Sequence, residues 1–209
     1  MHRISLTFLS LMAFVFGLSA PALAQDKPKD ETPPLRAAPT GGVTGFRAEF
    51  LDEIAYYEQR YTNLATAMPA EKYPWRPGEG VRSVGEVFTH IIQANYGIAR
   101  ALSTPPPAGF DLKAVAAISG DKTKVVQALK DSFANFRGAI LALNDGDADK
   151  PQKMFGRQTT LRGSFIMITG HFGEHLGQSI AYARMNGVVP PWTEEAQKQQ
   201  QKPADKPKP

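Results

Sequence analysis

The sequence predicts an all-α protein, a four-helix bundle with flexible N- and C-terminal tails. Three observations carry this. Apolar residues recur at spacings of three and four in four separate runs, which is the period of a helix packed on one side. Each run ends at a residue that stops helices. The segments outside the runs are rich in Pro, Lys and other polar residues that cannot bury enough apolar surface to offset their ordering entropy.

The first helix carries Phe46, Phe50, Ile54, Tyr57, Tyr61, Leu64 and Met68 as one stripe, and Pro69 ends it. A second opens at Ser83 with Glu86 three residues on, the pattern of a capping box. It carries Val84, Val87, Ile91, Ile98 and Leu102 before Pro105 stops it. The third begins near Asp121 and carries Val126, Leu129, Phe133, Phe136, Ile140 and Leu143, with Asn144 and Gly146 expected as its terminator. The fourth runs from about Thr160 to Asn186 on Leu161, Phe165, Ile168, Phe172, Leu176 and Ile180, and Gly187, Pro190 and Pro191 supply the stop. Four amphipathic helices of roughly 20 to 27 residues imply an antiparallel or mixed bundle. Between the first two, PAEKYPWRPGEGVR should form a fixed irregular loop that sets Trp75 over one bundle end. PPPAGFDLKAVAAISG has room for a short extra helix around Asp111 to Ala117. Neither loop has a phosphate-binding glycine pattern.

The ends set the expected domain organisation. Residues 1–24 read as a secretory signal: a basic start at His2 and Arg3, an apolar stretch from Leu6 to Leu18, and Ala22-Leu23-Ala24 before Gln25. The apolar stretch is short for a membrane span, which leaves an uncleaved anchor as the alternative and no stable membrane insertion once the signal is removed. Residues 25–44 read as a disordered linker, 45–192 as the bundle and 193–209 as a disordered Lys/Pro-rich tail. The expected location is periplasmic or secreted. With no cysteine, the chain has neither a disulfide nor a lipid-modified N-terminal Cys. Its formal net charge of +4 falls to +3 when Arg3 leaves with the signal, and much of the Lys lies in the tails. No basic stripe with interleaved aromatics occurs, so no nucleic-acid partner is expected.

Of the four histidines, His2 lies in the signal and the other three carry the chemistry. His171 and His175 are four apart on the fourth helix, with Cβ atoms roughly 5 to 6 Å apart, close enough for both imidazoles to reach one ion. His90 lies on the second helix and would complete a three-ligand site, leaving a position for water or substrate, as catalytic metal sites do. The alternative is a set of satisfied core histidines. Glu174 and Gln178 are on nearby helical positions, Gln178 as a partner for a ring N–H and Glu174 as a weak candidate for proton transfer, or simply a solvated acid. HFGEH is not the zincin HExxH, because its acid precedes the second histidine instead of following the first.

WRPGEGVRSVGEVFTHIIQAN, followed some 80 residues later by GHFGEHLGQSIAYARMNGVVPPW, resembles the DinB-like (damage-inducible B, YfiT-like) four-helix-bundle superfamily over residues 45–192. The resemblance implies that His90, His171 and His175 bind a divalent metal, zinc or nickel, and that the chain forms homodimers. It also implies a two-plus-two arrangement with a long crossover between the second and third helices. Some relatives are S-transferases or isomerases that use cytosolic low-molecular-weight thiols. An export signal sets this chain apart from them and leaves its small-molecule substrate unspecified. The expected function is an exported metal-dependent hydrolase or transferase. The alternatives are a non-catalytic metal-binding or stress-related protein whose metal is structural or absent, and a bundle that serves only as a scaffold.

Overall fold

A computed structural model describes residues 43–201, and the signal (1–24) and most of the linker (25–44) and of the end of the tail lie outside the described residues. Among the described residues, six α-helices and one hairpin, with two single 3-10 turns (Ala70–Lys72 and Asp145–Asp147), make up the fold: α1 (Gly45–Ala67), α2 (Val84–Ala101), α3 (Leu112–Ala117), α4 (Lys122–Leu141), β1 (Pro151–Met154), β2 (Arg157–Thr160), α5 (Leu161–Met185) and α6 (Pro191–Gln200). The four long helices are α1, α2, α4 and α5. Their principal packing pairs are α1 with α4, α4 with α2, α2 with α5 and α5 with α1, so they follow the order α1, α4, α2, α5 around the bundle. That order makes α2 and α5, the carriers of the histidines, direct neighbours. Residues 102–121, the crossover from α2 to α4, contain α3, and Asp111 caps it by accepting from the Lys113 N–H.

The core is built mainly from the four long helices, with Tyr73 of the loop before α2, Val115 of α3 and Met154 of β1 added, while Phe46, Val126, Leu143 and Ile180 of the predicted stripes pack against it only partly buried. Phe172 of α5 is its aromatic hub, fully buried against Tyr57 and Tyr61 of α1 and Phe133 and Phe136 of α4, at centroid distances of 5.4 to 6.3 Å. The Tyr61 hydroxyl donates to the Phe172 carbonyl at 2.7 Å, which ties α1 to the histidine-bearing turn of α5. Between α2 and α4, the buried Asn95 amide donates to Ser132 Oγ at 2.9 Å.

The start of α2 is held at several points. The N–H groups of Val84 and Gly85 donate to the carbonyls of Trp75 and Tyr73, and Ser83 and Glu86 form the reciprocal capping box. The N–H groups that any helix start leaves without an intrahelical partner are thereby satisfied by the preceding loop. Gly85 permits this seat, because a Cβ there would stand 1.7 Å from the Ser119 carbonyl oxygen, and a backbone atom cannot give way as a flexible side chain can.

Three features differ from the sequence reading. α4 ends at Leu141, so Asn144 and Gly146 lie beyond it; Arg47 of α1 donates to the Leu141 and Leu143 carbonyls and forks onto Asp145, which satisfies that helix end from a distance. The connection before α5 holds the β1–β2 hairpin, whose two-residue turn, Phe155 and Gly156, takes φ of 49° and 77°, the left-handed pair that matches strand twist. Its base carbonyls, Lys150 and Ala148, accept from the first N–H groups of α5, and Thr160 caps that helix through the Gly163 N–H. The third difference is the polar segment from 193 onward, which begins as α6 rather than as a free tail. Pro191 takes the first helical position, a Glu194–Lys198 pair at 2.8 Å spans one turn, and Trp192 lies 4.3 Å from the Arg60 guanidinium of α1.

Candidate metal centre

His90 comes from the middle of α2, and His171 and His175 from successive turns of α5. The bundle brings all three together: each offers a ring nitrogen, and these atoms lie within 4.8 Å of one another. His90 Nε2 and His171 Nε2 are 3.2 Å apart, and the three ring centroids are separated by 4.6 to 5.3 Å. Two imidazoles on one tetrahedral zinc ion, with Zn–N bonds of about 2.0 to 2.1 Å, hold their nitrogens about 3.3 Å apart, so this spacing fits a shared ion. Among the described residues no other group of three metal-ligating side chains is so arranged.

The two rings on α5 are held in different ways. His175 is buried, and its Nδ1 donates to Gln178 Oε1 at 2.9 Å, which leaves the Nε2 lone pair for the cluster. Gln178 Nε2 donates in turn to the Tyr182 hydroxyl at 3.0 Å, and the Tyr182 ring meets Trp75 edge-on at 5.5 Å. The loop before α2 thus braces the last member of a chain that ends on a ligand. His171 has no such hydrogen bond: its Nδ1 is buried without a partner among the described residues. Packing orients it instead, between Phe172 at 5.9 Å and Phe155, at the hairpin turn, at 5.3 Å. Glu174 is exposed and stands outside the three-residue cluster, though its charge reaches His90.

Burial pushes the His90 imidazole down to about 4, and the positive charges of Arg82, His175 and His171 push the same way while Glu174 opposes them. His171 is also lowered to about 4 by burial first, with His175 and Arg82 adding to it. Both rings are therefore neutral near pH 7, the state that a metal ligand requires. Beside His90 a solvent-open cleft of about 390 Å³ runs along the start of α2, lined among others by Arg76, Arg82, Glu86, Thr89 and Gln93.

A family model of the DinB superfamily matches residues 54–179, a span that includes the three histidines, Gln178 and the α2 capping box. The chain belongs to the DinB superfamily. A DinB-like protein from Bacillus cereus is similar in structure, with a TM-score of 0.59 and 18% identity over 68% of this chain and 93% of that one. A DinB-like protein from Bacillus subtilis aligns with a TM-score of 0.45 and 17% identity, over 68% of this chain and 94% of that one. No curated protein matches the sequence. At 18% identity the likeness to the Bacillus cereus protein shows the DinB fold alone.

Sequence reasoning missed three residues that the structure places around the three histidines. Tyr182 stands four positions past Gln178 and was readable only as part of the apolar face. Phe155 reaches His171 through a hairpin of two four-residue strands, too short to show a period. Arg82 gives no sequence signal apart from preceding the helix cap.

Proposed function

We propose that this DinB-superfamily protein holds one divalent ion, zinc or nickel, on His90, His171 and His175, and uses it as a metal-dependent hydrolase or transferase acting on a small molecule outside the cytoplasm. The observation that carries the proposal is the convergence of three ring nitrogens within 4.8 Å, with Gln178 orienting one ring from behind. The His90 and His171 Nε2 atoms stand 3.2 Å apart, the spacing that two ligands of one ion share; a direct Nε2–H···Nε2 hydrogen bond between complementary tautomers is the competing arrangement, and metal uptake distinguishes the two. An ion held by three imidazoles supplies Lewis acidity and lowers the pKa of a water bound to it. The chain's own contribution is to keep the His90 and His171 rings neutral, to orient His175 through Gln178, and to set His90 on the wall of the cleft that Arg82 also lines.

Three protein ligands rather than four favour an open position over a closed structural site. Glu174, the nearest acid in sequence, is exposed and outside the cluster, which argues against its closing the site. Homodimer formation is part of the proposal by family resemblance, and export by the Ala22-Leu23-Ala24 segment. Among the described residues no helix is long and apolar enough to cross a membrane.

Cobalt substitution tests the open position, because its d–d spectrum reports the coordination sphere. Azide should change the spectrum of the cobalt-loaded protein. An unchanged spectrum at saturating azide, together with a clear change in Glu174→Gln, would replace the enzyme reading with a closed structural site.

A further inference from the structure

We propose that the cleft between Arg82 and His90 takes a small acid, a molecule that places one donor atom on the ion held by the three histidines and its carboxylate or phosphate group against the Arg82 guanidinium. The inference rests on the metal-binding reading above and adds the class of ligand.

Four observations converge on Arg82. It lines the same cleft as His90, so one molecule in that cleft can touch both. At about 390 Å³ the cleft has the volume of a small-molecule site. The other two charges lining it are already committed to each other, since Arg76 Nη2 bonds Glu86 Oε1 at 3.1 Å and Glu86 also receives the Ser83 N–H. Arg82 has no hydrogen bond or ion pair among the described residues, and Glu174, the acid whose charge reaches His90, forms no salt bridge with it. Among the described residues the cleft therefore carries one uncommitted cation. An unpaired guanidinium beside a cation site raises the cost of binding the ion alone and favours an ion that arrives with, or then receives, an anion. A planar five-donor fork suits carboxylate or phosphate oxygens.

The test titrates the cobalt-loaded protein with 3-mercaptopropionate and with 2-mercaptoethanol, two small thiols that differ chiefly in a terminal carboxylate, and reads the d–d band. Wild type should bind the acid about tenfold more tightly than the alcohol, the scale of one charge-assisted hydrogen bond. In Arg82→Gln that preference should vanish while the affinity for 2-mercaptoethanol stays as it was; the residue is exposed, so the fold should not suffer. Equal affinities in wild type, or a preference that survives Arg82→Gln, would overturn the proposal. Failure to take up cobalt at all would instead remove the metal reading, and this one with it.

Discussion

Gln178 Oε1 lies 2.9 Å from His175 Nδ1, and the same amide donates to Tyr182 at 3.0 Å. The amide is thus fixed at both ends, and His175 is held in the tautomer whose Nε2 lone pair points to His90 and His171. Loss of such a partner typically costs about 10- to 100-fold in metal affinity. Gln178→Leu should weaken zinc binding by that factor, measured by competition with a chromophoric chelator, and leave the helical content unchanged. Unaltered affinity would mean that Gln178 only fills the bundle interior.

The pH dependence of the metal-free protein follows from His90 and His171. Their folded pKa values, lowered to about 4, lie below the 6.5 of the unfolded chain, so the unfolded state binds more protons between those limits. The stability tied to these rings is therefore present above pH 6.5 and is lost as the pH falls toward 4. Urea unfolding at a series of pH values should show this decline in wild type and a shallower one in His90→Gln/His171→Gln. Identical slopes would show that the rings are not desolvated.

Core and surface positions on α5 should separate cleanly. Phe172 is fully buried at the aromatic hub, so Phe172→Ala should cost about 3 to 5 kcal/mol in chemical denaturation. Ile166 is 73% exposed, and Ile166→Ala should stay within about 0.5 kcal/mol of wild type. A comparable loss at Ile166 would point to a covering partner, such as a second copy of the chain.

What could be read in the sequence was what depends on local period and on caps. The stripes through Ile54, Ile91, Leu129 and Ile168 repeat within their own helices, and the Ser83–Glu86 box closes within one turn. The four long helices and the short one after Asp111 were legible for that reason. The His171–His175 pair was legible as well, since a single helix sets its spacing. What stayed hidden depends on contacts far apart in the chain. Arg47 satisfies the end of α4 across nearly a hundred residues, so the expected Asn144 and Gly146 terminator was not needed. α6 draws on Trp192 packing with Arg60, and Phe155 meets His171 only because the hairpin is anchored, partly by Gln152 donating to the Ala101 carbonyl. Nothing near Arg82 in the sequence marks it as unpaired.

Export predicts a defined mature terminus. The protein recovered from an expressing cell should begin at Gln25 and fractionate outside the cytoplasm, as N-terminal sequencing and fractionation would show. Met1 on soluble cytoplasmic protein would remove the export proposal.

Elemental analysis of the purified protein, alongside His90→Ala and His171→Ala, tests the three-histidine centre most directly. The two residues are 81 positions apart in sequence, yet their Nε2 atoms are 3.2 Å apart in the fold. Each substitution removes one of three bonds to the ion, while the apolar stripes keep the bundle folded. Wild type should carry one divalent ion per chain and both variants far less, with unchanged circular dichroism. Stoichiometric metal in both variants would contradict the centre described here.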